Sequence, residues 1–502
     1  MKENTNQTII YNTGILFIRL FVTTICGLLT TRYALQALGI TDFGVFSLIG
    51  SIVTFISIFN QIMISTSNRF ISIEIGIGKT KDINEQFNIN FIIHVAIAIA
   101  TLLIGLPLGH WYIHNFVNFD GDINDVIFVF NLSIISAAIS FIGIPYNGLL
   151  MAKERFIVFS TVDVFVHIIK TIIAYLLINF FVDKLQVYAI ALSILTVLPV
   201  LLFYLYCSKY YHKETELHVV TNKKKYKKVF SFSSWVAFGA FVSVGQGQGA
   251  AMIVNAFFNT VMNAAMGIAN TVNMLITSFA SNVSQPIAPQ ITKSYAANNY
   301  ERCEELLIIS TKFTFLSMFL VSAPLMIDAK WLLSLWLGQV PPYVITFTLL
   351  IVINTLITSA NSGISNLIFA SGKIALYQII VNMLRIFSMV GAYLILKKGC
   401  VAYSLFYVYI VFSFLIFLSS QWVLKKTIHL GYSVLFKHSY IPSLAVTICF
   451  IPVCFIHWNV HPLIRIVLLM LYLMVIVYHI GLSRQERKYL YNFLTSKNKQ
   501  TR

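Results

Sequence analysis

The sequence predicts an all-α polytopic membrane protein, and three observations predict it. Of its 502 residues 58% are hydrophobic and only 11% charged, with a strongly positive mean hydropathy, a composition outside that of soluble domains. Apolar stretches long enough to cross a bilayer core recur from one end to the other, about fourteen of them on the criterion of roughly 20 residues per span. Lys and Arg collect in alternate connections between those stretches, the pattern that the positive-inside rule requires of a correct span count.

In chain order the predicted spans lie near 10–31, 43–65, 87–109, 126–150, 157–181 and 186–207, then 229–255, 262–284, 305–327, 343–369, 374–396 and 399–424, and finally 439–457 and 462–482. The amino terminus, MKENTNQ, is polar and runs into the first span without a small-residue cleavage site, so that span is expected to be retained. With this end in the cytoplasm, the basic run KYYHKETELHVVTNKKKYKK at 209–228 is cytoplasmic and the acidic loop HWYIHNFVNFDGDIND at 110–125 faces outward. Both termini are then cytoplasmic. No connection is long enough to fold as a soluble domain, so function must come from the membrane helices. The net charge of +17 sits mostly in cytoplasmic connections, where it sets topology and meets anionic lipid; nucleic acid is not expected as a partner. The six cysteines are scattered without CxxC or Cys/His spacing, which excludes a disulfide framework or zinc site, and no cofactor is expected.

An internal repeat is expected as well. DFGVFSLIGSIVTFISIFNQIMIS, opening at Asp42, resembles AMGIANTVNMLITSFASNVSQPIA, opening at Ala265, in polar spacing and in the charged loop that follows each. The expected organisation is a six-helix bundle over 1–208, a basic linker over 209–228, a second six-helix bundle over 229–426, and two extra helices with a basic tail over 427–502.

The charged residues in the spans are Arg19, Asp163, Lys170, Lys312 and Arg385. Each costs about 2.5–3.5 kcal/mol at a helix centre and normally faces protein or a watery cavity. Lys312, nearer a cytoplasmic span end, could instead reach back to headgroups. On the fifth span Asp163, His167 and Lys170 have i, i+4, i+7 spacing and share one face, with His167 placed to bridge the other two or each open to partners on other helices. On the eleventh span Gln378, Asn382 and Arg385 repeat the spacing, each 215 positions later. Four cations against one acid point to a hydrated cavity that receives an anion, since unpaired charges in a dry core are costly. Gln246 and Gln248, in the run GQGQG at 245–249, and Asn263, Asn270 and Thr277 on the eighth span are further candidates for its lining, although tight helix packing explains them equally well. GIGKT at 76–80 is not a phosphate-binding loop, because the pattern needs Gly where Ile73 stands. His94 is lone and reads as a packing residue, and no catalytic motif of a glycosyltransferase or ligase is present.

The run GILFIRLFVTTICGLLTTRYALQALGITDFGVFSLIGSIVTFISIFNQIMISTSNRFISIEIGIGK, the duplicated halves, the basic central loop and Arg19 in the first span resemble the polysaccharide (O-antigen or capsule type) flippases of the multidrug/oligosaccharidyl-lipid/polysaccharide exporter superfamily. The resemblance implies two bundles around a V-shaped central cavity in a bacterial inner membrane protein. It also implies translocation of a polyprenyl-pyrophosphate-linked oligosaccharide to the periplasmic leaflet by alternating access, alongside glycan polymerase or assembly machinery. On this reading Arg19, Lys170 and Arg385 bind the anion, Asp163 with His167 couples transport to a proton or sodium gradient, and Gln246, Gln248, Asn270, Gln378, Asn382 and Lys312 line the cavity. A multidrug exporter or a lipid II-type flippase is the alternative, although cationic drugs would favour an acidic cavity.

Overall fold

The computed structural model describes residues 2–78, 80–116, 123–180, 183–258, 260–337, 340, 342–428, 432–456 and 460–488; for some of these, 43–61 among them, only the backbone is described. Among these residues the helices are α1 (Lys2–Ile77), α2 (Thr80–Phe116), α3 (Ile123–Ala152), α4 (Phe156–Phe180), α5 (Lys184–Tyr210), α6 (His212–Thr215), α7 (Lys223–Phe257), α8 (Thr260–Ala296) and α9 (Tyr300–Leu337). They continue as α10 (Val344–Ser359), α11 (Ser362–Ser371), α12 (Ala375–Lys397), α13 (Ser404–Ile428), α14 (Tyr432–Leu435), α15 (Ile441–Phe455) and α16 (Pro462–Ile476), with π-helical turns at Phe436–Tyr440 and Val477–Gly481.

Eleven of the described helical segments are long and apolar enough to cross a membrane, and twelve if α10 and α11, bent by 43°, form one broken span. The other two predicted spans, 43–65 and 262–284, fall on helix within α1 and α8. Two expected spans run together in α1, where Gly39, at φ 75°, interrupts the helical backbone; an L-residue side chain rarely tolerates that conformation. Prolines lie inside α2, α3, α5, α8 and α9, which membrane helices tolerate where neighbouring groups or water can satisfy the freed carbonyls.

The chain divides into two compact units. The first, residues 14–237, packs α3 against α2 and α5 around Phe87, Tyr146, Leu150 and Phe203. Its glycines set helix distances: a Cβ on Gly148 would lie 2.8 Å from the Cβ of Ser67. The basic linker belongs to this unit and lies pinned on it. Asn84 and Asn88 donate to the carbonyl of Glu216 at 2.9 and 2.8 Å, the N–H of His218 donates back to Asn88 Oδ1 at 2.9 Å, and Lys225 and Lys153 pair with Glu85 and Glu214 at 2.7 and 3.0 Å.

The second unit comprises residues 1–13 and 238–502, with a core drawn from α8, α9, α10, α12 and α13 that includes Met266, Phe319, Phe347 and Phe406. The last two helices pack on α9, where Phe319 meets Phe450 edge to face at 5.3 Å. Two ion pairs of opposite sense hold them there. Asp328, at a non-helical break in α9, faces Arg465 at 3.1 Å, and Lys312 faces Glu486 at 2.5 Å.

Candidate functional site

In the first unit the fifth-span stripe is carried by α4, which runs parallel to the start of α1 along a ladder of contacts. Arg19 Nε stands 3.7 Å from Asp163 Oδ2, Thr171 donates to the carbonyl of Cys26 at 3.1 Å and meets the hydroxyl of Thr30 at 2.8 Å, and the rings of Tyr33 and Tyr175 cross at 5.3 Å. The Arg19 guanidinium also lies 4.8 Å from the Phe159 ring centroid, a cation–π contact. Its Nε is buried yet makes no hydrogen bond, so the pair with Asp163 is loose. His167 donates Nδ1–H to the Asp163 carbonyl at 2.9 Å and approaches the Asp163 carboxylate at 3.6 Å.

Of the two expected arrangements, a His167 bridge or partners on other helices, Asp163 takes the second. Asp163 turns to Arg19, because α1 offers a nearer cation than a lysine two helical turns along α4. Lys170 has no hydrogen-bond or ion-pair partner among the described residues.

In the second unit α12 runs parallel to α7 in the same fashion. Gln378, Asn382 and Arg385 form a ladder: Asn382 donates to Gln378 at 2.7 Å and Arg385 to Asn382 at 3.4 Å. Gln246 donates to Ser388 at 2.9 Å, and Ser388 donates to the carbonyl of Arg385 at 2.6 Å. Gln378 and Asn382 are buried. Gly239 of α7 abuts Gln378 so closely that a Cβ there would sit 2.5 Å from Gln378 Oε1. Arg385 has no acid partner among the described residues.

The remaining candidates scatter. Asn270 is half-buried with no partner among the described residues; its neighbour Asn273 accepts from Thr355 at 2.6 Å. The side chains of Gln248 and Asn263 lie outside those described. Lys312 does not reach back to headgroups: it is only 2% exposed and its partner is Glu486. Sequence reasoning missed Glu486, which lies past the last span, and the pairing of Gln246 with Ser388. The spacing Ser483-x-x-Glu486 was a usable signal, since it is a capping box, and the structure forms it, with Ser483 N–H to Glu486 Oε2 at 2.7 Å and Glu486 N–H to Ser483 Oγ at 3.3 Å.

No family model matches the chain, and no curated protein does. Solved structures do. A point mutant of a MATE transporter superposes with a TM-score of 0.74 at 12% identity, covering 86% of this chain and 96% of its own. The Vibrio cholerae MATE transporter VcmN, also as a point mutant, gives 0.71 at 13% identity over 87% and 100% of the two chains. The fold is that of the MATE transporters. A third match, a MOP superfamily transporter from Pyrococcus furiosus whose binding pocket is described as of reverse polarity, gives 0.70 at 13% identity over 84% and 95%. The MATE fold accounts for nearly the whole length of each of these relatives. At such identities it is the helical framework that is shared.

Proposed function

We propose that the chain is a secondary transporter of the MOP superfamily fold that moves an anionic amphiphile, a polyprenyl-pyrophosphate-linked oligosaccharide, across a bacterial cytoplasmic membrane by alternating access, for surface polysaccharide synthesis. The observation that carries this reading is that Lys170 and Arg385, one on each unit and 215 positions apart, are intramembrane cations without an acid among the described residues. A cation left in a span without an acid needs water or an anion beside it. Arg19 is partly neutralised by Asp163, and its unbonded Nε–H leaves it a donor to offer. The test is depletion of the gene product in its native host. Accumulation of the lipid-linked precursor in the cytoplasmic leaflet with loss of surface glycan is expected, and normal glycan with unchanged precursor overturns the reading.

A multidrug exporter is the second reading, favoured by the MATE relatives themselves. It predicts that depletion raises sensitivity to cationic drugs and leaves glycan untouched. The excess of cations over acids among the span residues favours the anionic substrate.

A further inference from the structure

The second unit contains a cavity of about 270 Å³ where the beginning of α1, the beginning of α9 and the segment after the last helix meet. Its apolar walls include Ile9, Ile10, Ile308, Ile309 and Phe313, and His438, Ser483 and Gln485 add polar groups to the lining. Two charge pairs border it at different depths along α9. Near the start of that helix Arg302 Nη1 binds Glu305 Oε2 at 2.8 Å, with the Glu305 side chain 40% exposed. Ten residues further along, which is about 15 Å of helix, the ammonium of Lys312 is 2% exposed and bound to Glu486 at 2.5 Å. An ammonium has three donors. Glu486 takes one, and among the described residues no other acceptor meets Lys312, although it lines the cavity. Buried donors without acceptors cost about 1–3 kcal/mol each, so whatever fills the cavity, water or ligand, is best suited if it brings oxygen acceptors to Lys312.

We propose that this cavity holds one phospholipid with a primary-ammonium zwitterionic headgroup, its phosphate and ammonium against Arg302 and Glu305 and its glycerol-ester oxygens against Lys312. The order of chemistry along α9 matches the order in such a lipid. A side-by-side cation and anion lie at the helix start, where a headgroup lies. Neutral acceptors are wanted one step deeper, because Glu486 already balances the lysine charge. Isoleucine and phenylalanine walls accompany the start of the acyl chains. The volume is below the range of about 300–1,000 Å³ typical of whole-ligand pockets, which suits the polar end of a lipid whose chains continue into the bilayer. Glu305 selects the ammonium form, since a primary ammonium donates hydrogen bonds to a carboxylate and a quaternary one does not.

The full chain, purified and reconstituted in turn into vesicles of phosphatidylethanolamine, phosphatidylcholine or phosphatidylglycerol, is examined by native mass spectrometry for lipid retained on release. One retained phosphatidylethanolamine is expected, favoured over the other two by about tenfold, the effect of one charge-assisted hydrogen bond. Glu305→Gln, at a partly exposed side chain, should remove that preference, and Ile308→Trp, which fills the cavity, should remove the retained lipid without shifting the melting temperature of the lipid-free protein. Equal retention of the three lipids, preference for phosphatidylglycerol, or unchanged retention by both variants overturns the proposal.

Discussion

The ladders α1–α4 and α7–α12 are the same construction with opposite chemistry at one rung. In the first unit the rung is Arg19 facing Asp163 at 3.7 Å. In the second, the residue 215 positions after Asp163 is Gln378, and what faces it is Gly239, with no side chain at all. A charged rung in a membrane helix pair carries a desolvation cost that only the pairing offsets, whereas the Gly–Gln rung is close-packed and passes its polarity along the helix to Asn382 and Arg385. The difference teaches that the two stripes, alike in spacing, do different work: one unit keeps an ion pair, and the other keeps a hydrogen-bond ladder that orients a lone arginine. Both end in a cation with no acid beside it among the described residues, Lys170 in one and Arg385 in the other.

Removing that shared feature should have the largest effect. Lys170→Gln and Arg385→Gln are each expected to lower transport by more than tenfold, the loss of about 1.4 kcal/mol or more of anion binding, with surface expression unchanged. Precursor accumulation and surface glycan in cells carrying each variant measure it. Normal export by both variants would show that the cations are structural and would remove the basis for an anionic substrate.

Gly239→Ala attacks the rung of the second unit. Its Cβ would press on Gln378 Oε1, so Gln378 must leave the acceptor position it offers Asn382. Overpacking of this kind costs about 1–3 kcal/mol. The thermal midpoint of the purified protein should fall, and with it the order of the Arg385 side chain. The corresponding rung of the first unit has no such squeeze to test; there Thr171→Val is the comparable change. It removes the bonds to Cys26 and Thr30 at about 0.5–1.5 kcal/mol.

Much of this comparison was legible beforehand because helical spacing is a local property. The stripes at 163/167/170 and 378/382/385 follow from i, i+4, i+7 positions alone, and the 215-residue shift follows from counting. Which helix faces a stripe is not local, so Arg19 as the partner of Asp163, and Gly239 as the neighbour of Gln378, could not be read off either stripe. Lys312 shows the same limit more sharply. Its depth suggested a headgroup or cavity role, but its partner Glu486 is 174 positions away, past the last span, and only the capping-box spacing hinted that this glutamate had a fixed place. The linker at 209–228 was legible as a basic connection, whereas its attachment through Asn88 was not, because an asparagine in a span start carries no sign of what it will bind.

The smallest effect separates two roles for Asp163. As a counter-charge, its partner is Arg19. With the side chains 18% and 33% exposed and 3.7 Å apart, the coupling between Arg19→Gln and Asp163→Asn in a double-mutant cycle should be modest, about 0.5–1 kcal/mol. If pairing is all that Asp163 does, the double variant should recover most of the stability lost by Asp163→Asn alone, since no buried charge is then left without a partner, and its uphill transport should match that of Arg19→Gln alone. A coupling residue behaves otherwise: the double variant regains stability but still carries its substrate only down a gradient, because no titratable carboxylate remains to exchange a proton or sodium ion between states. Measuring the midpoint and the gradient-driven accumulation on the same four proteins distinguishes the two roles, and a double variant with recovered stability and the same accumulation as Arg19→Gln would leave Asp163 as architecture, the charged equivalent of the glutamine in the second unit.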